Sequence, residues 1–390
     1  MPAKQKRILT SLYLIVTLFA SPVVYSLNLD PISADHWDEN HAAHLASRAG
    51  FGLLPGEIAA LAAEEPTKAV AYFVDGAAKP NVSAFEHSGI FDEGLDPFPP
   101  SRPATTRLAK EQGHALGINV KPGGNRPIQP IVNKFFYWLR ASRLETDRVS
   151  YWWANRMLTT NHPLQEKMAL FWHGHFATNE DKVRDYRKML KQLELFQEKG
   201  LSNFRELLIA VSQDPAMLAF LDAGVNTKDS PNENFAREIM ELFTMGVGHY
   251  SETDVQEAAR AFTGWNSQNL VFYIDEEQHD SGVKRFLGKE DNFSGTDIID
   301  LILEQPVTAE FIAAKIYRYF VSDQLSESDV KELGALLRDQ DFDISEFMRT
   351  LFLSEDFYSD KNRGTHIKSP VELVISTYKK LGMNQVPGIP

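Results

Sequence analysis

The sequence predicts an all-α protein, a single large multi-helix domain with one small β-hairpin insertion. Three observations carry this reading. Apolar residues recur at three- and four-residue intervals through most of 131–265 and again beyond 296, the period of a half-buried helix. Strand-favouring residues gather in only two short runs, 270–274 and 284–287, on either side of a turn. The composition is globular, with 43% hydrophobic and 24% charged residues, and 390 residues are enough to bury a sizeable core.

The first segment reads as an address. Lys4, Lys6 and Arg7 precede the apolar run 8–20, and Val24-Tyr25-Ser26 follows it. A basic start, a short apolar middle and a small-residue exit describe a secretory signal peptide over 1–26. Thr10, Ser11, Thr17, Ser21 and Pro22 interrupt the run and argue against a retained anchor. No later stretch approaches membrane-spanning length, so the expected product is exported, periplasmic or extracellular, with no transmembrane domain after cleavage. The chain has no cysteine, which excludes disulfides, thiolate metal sites and a Cys nucleophile. With 53 acidic against 40 basic residues the net charge is −13, which speaks against nucleic acid as a partner.

Residues 27–78 read as an N-terminal helical segment broken at Gly50-Phe51-Gly52 and Pro55. Between 79 and 130 the chain turns Pro/Gly-rich, with Pro97, Pro99, Pro100 and Pro103 closely spaced. Its Phe85, Phe91 and Phe98 suggest a loop packed on the body. The helical core domain then occupies 131–390, with the hairpin at 266–288. Pro163 suits a first helical turn, and Leu164, Met168, Phe171 and Trp172 follow at helical intervals. Helical periodicity returns at 296–320, 327–337, 343–353 and 370–381. Residues 382–390 have loop composition with no closing element, which reads as a chain truncated at its C-terminus.

The sharpest feature is 232–244. At about 100° per residue, Asn234, Glu238 and Glu241 share one narrow sector with Arg237 beside it, while Phe235, Ile239, Leu242 and Phe243 lie opposite. Thr253 and Gln256 then have capping-box spacing, and Arg260 follows on a helix ended by Gly264. With these residues the chain resembles the bacterial proteins grouped as domain of unknown function 1800. The resemblance rests on His44-Leu45-Ala46-Ser47-Arg48-Ala49-Gly50-Phe51-Gly52, Phe171-Trp172-His173-Gly174-His175-Phe176 and 231–246. It continues through Ala259-Arg260-Ala261-Phe262-Thr263-Gly264-Trp265, His279-Asp280-Ser281-Gly282-Val283-Lys284 and Lys368-Ser369-Pro370-Val371-Glu372. It implies export and, by family analogy, a sulfatase-like partner protein, but no established activity.

The candidate chemistry is acid–base. Burial and mutual repulsion would raise the pKa of one of Glu238 and Glu241, while Arg237 holds the other ionised. Glu238, His173 and Glu241 are therefore the candidate catalytic groups. Asn234, Arg237, Arg260, Trp265, His44 and Lys284 are the candidate substrate contacts. The competing reading makes the cations ion pairs that tie helices together and Trp265 a core residue. If Gly174 ended its helix, His173 and His175 could converge with His279 and Asp280 on a divalent metal; otherwise no cofactor is expected. There is no Walker A sequence, no GxSxG elbow and no GxGxxG.

These readings combine into one expectation. A polar pocket lies between the helices of 163–175, 232–245 and 254–264, roofed by the hairpin. It performs hydrolase or lyase chemistry on an extracellular carbohydrate polymer. The alternative is a non-catalytic binding or assembly protein of the cell envelope, whose polar residues form a buried structural network.

Overall fold

A computed structural model describes residues 27–76, 81, 83–90 and 129–388. The signal-peptide expectation for 1–26 and most of the 79–130 segment, including Phe91 and Phe98, lie outside the described residues.

The N-terminal segment forms α1 (Glu39–Arg48), α2 (Pro55–Ala62) and α3 (Pro66–Val74). Pro66 opens the third helix at a position where a missing N–H costs nothing. Phe85 is buried edge-on to Trp152 of α4 (Gln129–Thr159), whose indole N–H donates to Ser83 O at 3.0 Å. The next helices are α5 (Pro163–Phe176), α6 (Glu180–Val183), α7 (Tyr186–Lys199), α8 (Phe204–Ser212) and α9 (Pro215–Phe220). Then α10 (Asn234–Glu238) runs into a π-turn (Ile239–Thr244) and is followed by α11 (Glu252–Ala261).

After the strands come α12 (Gly295–Leu303), α13 (Pro306–Phe320), α14 (Glu327–Asp339), α15 (Ile344–Leu353), α16 (Glu355–Tyr358) and α17 (Pro370–Lys380). Helix starts follow from side-chain caps. Ser251 with Asp254, Ser294 with Asp297, Ser326 with Asp329 and Ser369 with Glu372 form reciprocal capping boxes. The box of α11 thus begins two residues before the expected Thr253.

Helix α5 is the hub. It buries residues on nearly every side, from Leu164 and Met168 to Trp172 and Phe176, as a helix enclosed by others must. Trp172 stacks on Phe176 and Phe204, and Phe176 stacks on Phe196 of α7. Helices α13 and α14 approach closely because Gly334 has no side chain; a Cβ there would come within 2.8 Å of the Glu310 backbone.

The β structure differs from one hairpin spanning 266–288. Strands β1 (Trp265–Gln268) and β2 (Val271–Ile274) pair with each other, and β3 (Lys284–Phe286) pairs with β4 (Lys289–Asp291). Each pair closes through a two-residue turn with both φ values positive, +48° and +61° at Asn269-Leu270 and +47° and +81° at Leu287-Gly288. Such turns join adjacent strands directly. The two runs that looked like partners therefore belong to separate ribbons.

Trp265, a candidate substrate contact, is a core residue. Its side chain is fully buried, packed edge-on to Phe262 and Phe272 with Phe235 alongside. The start of α12 presses on the same ring, since a Cβ at Gly295 would lie 2.4 Å from Trp265 and 2.5 Å from Phe262. Gly295→Ala should cost about 1–3 kcal/mol by overpacking this contact, read as a lowered urea midpoint. An unchanged midpoint would show that the ring has room to move.

Candidate functional site

The predicted polar face is largely a surface ion-pair network. The π-turn widens the helix after Glu238, so a regular 100° projection does not extend across 239–244. Asn234 is exposed and donates to Leu221 O at 3.2 Å. Arg237 does not pair with Glu241. It donates to Glu252 at 2.7 Å and to Glu233 at 3.0 Å, both near solvent. Glu241 accepts from the Tyr250 hydroxyl at 2.7 Å. Burial, then the nearby Glu241 charge, pushes the half-buried Glu238 carboxyl up, in the direction expected. No hydrogen bond or ion pair among the described residues links Glu238 or Glu241 to His173.

Arg260 and Lys284 hold the β ribbons to α11. Arg260 bridges Asp280 at 2.8 Å and Glu257 at 2.9 Å, and reaches Val283 O at 3.2 Å. The Lys284 ammonium is enclosed by Asp280 O at 2.6 Å, Gly282 O at 3.0 Å and Asn292 Oδ1 at 3.3 Å. His279 Nδ1 donates to Thr263 O at 2.8 Å, and the Asp280 N–H donates to the Thr263 hydroxyl. These groups secure a loop. Lys284→Met should therefore destabilise the fold by about 2–3 kcal/mol, since charged hydrogen bonds vanish and carbonyls lose their donor. Urea unfolding would measure it, and a loss below a few tenths would contradict the structural role.

Helix α5 does not end at Gly174. It continues to Phe176 and stops at Ala177, whose φ is +47°. His173 and His175 consequently point to different neighbours, as two positions on a continuous helix must. His173 lies against Trp153, with centroids 5.7 Å apart. His175 is buried and donates from Nε2 to Phe243 O at 3.1 Å, while its Nδ1 accepts from Lys315 Nζ at 3.3 Å. Among the described residues no three His, Asp or Glu side chains gather with metal-binding geometry. The set His173, His175, His279 and Asp280 is therefore not brought together.

The residues that do converge come from three separate segments of the chain. Lys167 of α5 forms a buried ion pair with Glu372, the N3 residue of α17, and donates to Gly50 O at 3.2 Å. Burial lowers the Lys167 ammonium to about 8 despite Glu372. Burial alone would raise the Glu372 carboxyl. The His366 ring, Lys167 and the Ser369 N–H outweigh it and hold the group well below the usual carboxylate range. His366 Nε2 lies 3.2 and 3.3 Å from the two Glu372 oxygens. Arg48, also buried, donates to Tyr319 O and Phe320 O at 2.7 Å, capping α13. His44, one turn earlier on α1, is partly buried and packed on Phe357, with its Nε2 buried and unpartnered.

Beside this cluster opens a cavity of about 450 Å³. Phe171, Gly174 and His175 form one wall and Lys315, Arg318 and Tyr319 another, with Asp323, His366 and Ile367 at the rim. Of the predicted site residues only His175, a weak metal candidate, lines it. Lys315 is half-buried over the Phe311 ring, donates to Leu242 O at 3.1 Å, and is lowered to about 8 by burial. Lys315 and Arg318 are three apart on a helix, a signal that was readable in the sequence. That Glu372 serves a capping box, a lysine and a histidine at once was not.

Acid should loosen this region. Burial, then the Lys315 charge, lowers the His175 imidazole to about 3, and burial with Arg48 lowers His44 to about 4. Unfolded histidines titrate near 6.5, so below that pH the unfolded chain takes up protons that the folded one refuses. This contribution to stability is complete above pH 6.5 and is lost as pH falls toward 4 and below. The urea midpoint should drop across that window, and less steeply in His44→Phe. Parallel profiles for the two proteins would contradict the assignment to His44.

Comparison with known proteins places the whole constellation in one family. No curated protein and no solved structure matches the chain. The family model described as "Protein of unknown function (DUF1800)" matches residues 44–388, which include the second half of α1 and all of α5, α13 and α17. The chain belongs to the DUF1800 family.

Proposed function

We propose that this protein is exported and that the cleft between α5, α13 and the 366–367 segment receives an acidic group of an extracellular carbohydrate polymer. One observation carries the reading. In a protein of net charge −13, the Arg318 side chain makes no hydrogen bond or ion pair with a described residue and opens onto a 450 Å³ cavity beside Lys315. Lys315 has three N–H donors. Two are committed to His175 Nδ1 and Leu242 O, leaving one for a ligand.

An ammonium and a guanidinium one turn apart suit a carboxylate, sulfate or phosphate. Asp323 on the same rim suits the hydroxyl donors of a sugar. Export is supported by the basic, apolar and small-residue pattern of residues 1–26. Among the described residues no helix is long and apolar enough to cross a membrane. The alternative of a structural polar network fits Arg237, Arg260 and Lys284, whose partners are all within the chain.

Calorimetric titration with polygalacturonate, and with dextran as the neutral comparator, tests the proposal. The acidic polymer should bind and dextran should not, with affinity falling as salt rises. Lys315→Met and Arg318→Ala should each weaken binding about tenfold, about 1.4 kcal/mol. Equal affinity in wild type and both variants would remove the cleft from the account.

A further inference from the structure

We propose that His366 is the general base of this cleft, oriented by Glu372, and that it removes the proton α to the carboxylate of a uronate unit in a β-elimination. The inference rests on the cleft binding an acidic sugar. It starts from which nitrogen carries the hydrogen. Glu372 is held ionised by Lys167 and by the Ser369 N–H, so it can only accept. His366 Nε2, 3.2 and 3.3 Å from its two oxygens, must therefore donate. That leaves Nδ1 with its lone pair and no partner among the described residues, on a ring that lines the cavity.

A base held in one tautomer by a buried carboxylate is the arrangement that makes imidazole an effective proton acceptor. His175 cannot fill this role. Its Nε2–H is committed to Phe243 O, and its Nδ1 lone pair to Lys315.

The remaining groups complete the step. Arg318 neutralises the sugar carboxylate, which makes the adjacent C–H more acidic. His366 Nδ1 takes the C5 proton, and the freed electron pair forms the C4–C5 double bond. The C4–O4 bond breaks with its pair on oxygen, and that oxygen takes a proton from the Lys315 ammonium. No oxidant or second substrate enters, and water restores both groups. Burial that eases proton loss from Lys315 suits it to the donor role. In this assignment Glu372 is a positioning residue and Lys167 keeps it charged.

Three measurements decide the matter. Nitrogen-15 NMR of the free protein should show His366 protonated at Nε2; protonation at Nδ1 overturns the proposal. Wild type incubated with polygalacturonate, alginate or hyaluronan should develop the ultraviolet absorbance of an unsaturated uronate. His366→Gln should still bind, within about threefold, while turnover falls by about 10²-fold or more. Binding without unsaturated product from any of the three polymers, or undiminished turnover in His366→Gln, would remove the base while leaving the cleft reading intact. No binding by wild type would remove both.

Discussion

Lys167 and Glu372 stand 205 positions apart in the chain and meet where water is excluded. Taking two such charges out of water costs several kcal/mol each, and attraction offsets that only when the remaining hydrogen-bonding capacity is also met. Here it is met. The ammonium has Glu372 and Gly50 O, and lies over the rings of Phe51 at 5.0 Å and Tyr319 at 5.9 Å. The carboxylate has Lys167, His366 and the Ser369 N–H. One ion pair thereby couples the hub helix α5, the turn after α1 and the first turn of α17. Loss of either partner would leave the other charged and unmatched.

The walls of the cleft inherit their rigidity from this centre. Arg48 leaves α1 just before the Gly50 turn and captures the last carbonyls of α13, which sets the position of Tyr319 and of Arg318 beside it. Farther along α13, Lys315 ties to His175 on α5 and to Leu242 O in the π-turn. The π-turn itself is sealed by the Thr244 hydroxyl, which donates to Ile239 O at 2.6 Å. The carbonyls of Leu242 and Phe243 are thus taken up by Lys315 and His175. The wide turn is part of the cleft's construction.

The cations singled out along the chain differ in what they are tied to. Arg237 joins the helices of 234–238 and 252–261 through Glu233 and Glu252. Arg260 and Lys284 bind a ribbon loop, and Arg48 and Lys167 serve the interior. Arg318 is left facing the cavity with no such duty. A ligand is proposed there because this unpaired cation lines the cavity beside Lys315.

Much of the fold was legible in the residues themselves. Helical periodicity, Pro163 at a helix start and two short strand-like runs are local properties, and local sterics and backbone hydrogen bonding produce them wherever the segment lies. The positively directed φ angles at Asn269, Leu270 and Leu287 were not legible, because those residues do not require them; thus one hairpin was read where two ribbons exist. The site was less legible still. A regular wheel drawn through 234–241 treated a π-turn as an α-helix, and Gly174 looked like a helix end although it is tolerated within α5. The motifs containing Arg48, His175 and Glu372 were visible as segments. Helical class and net acidic charge were properties of the chain alone. Which charges meet in the dry interior was decided only by tertiary packing, because desolvation and pairing depend on neighbours hundreds of residues away.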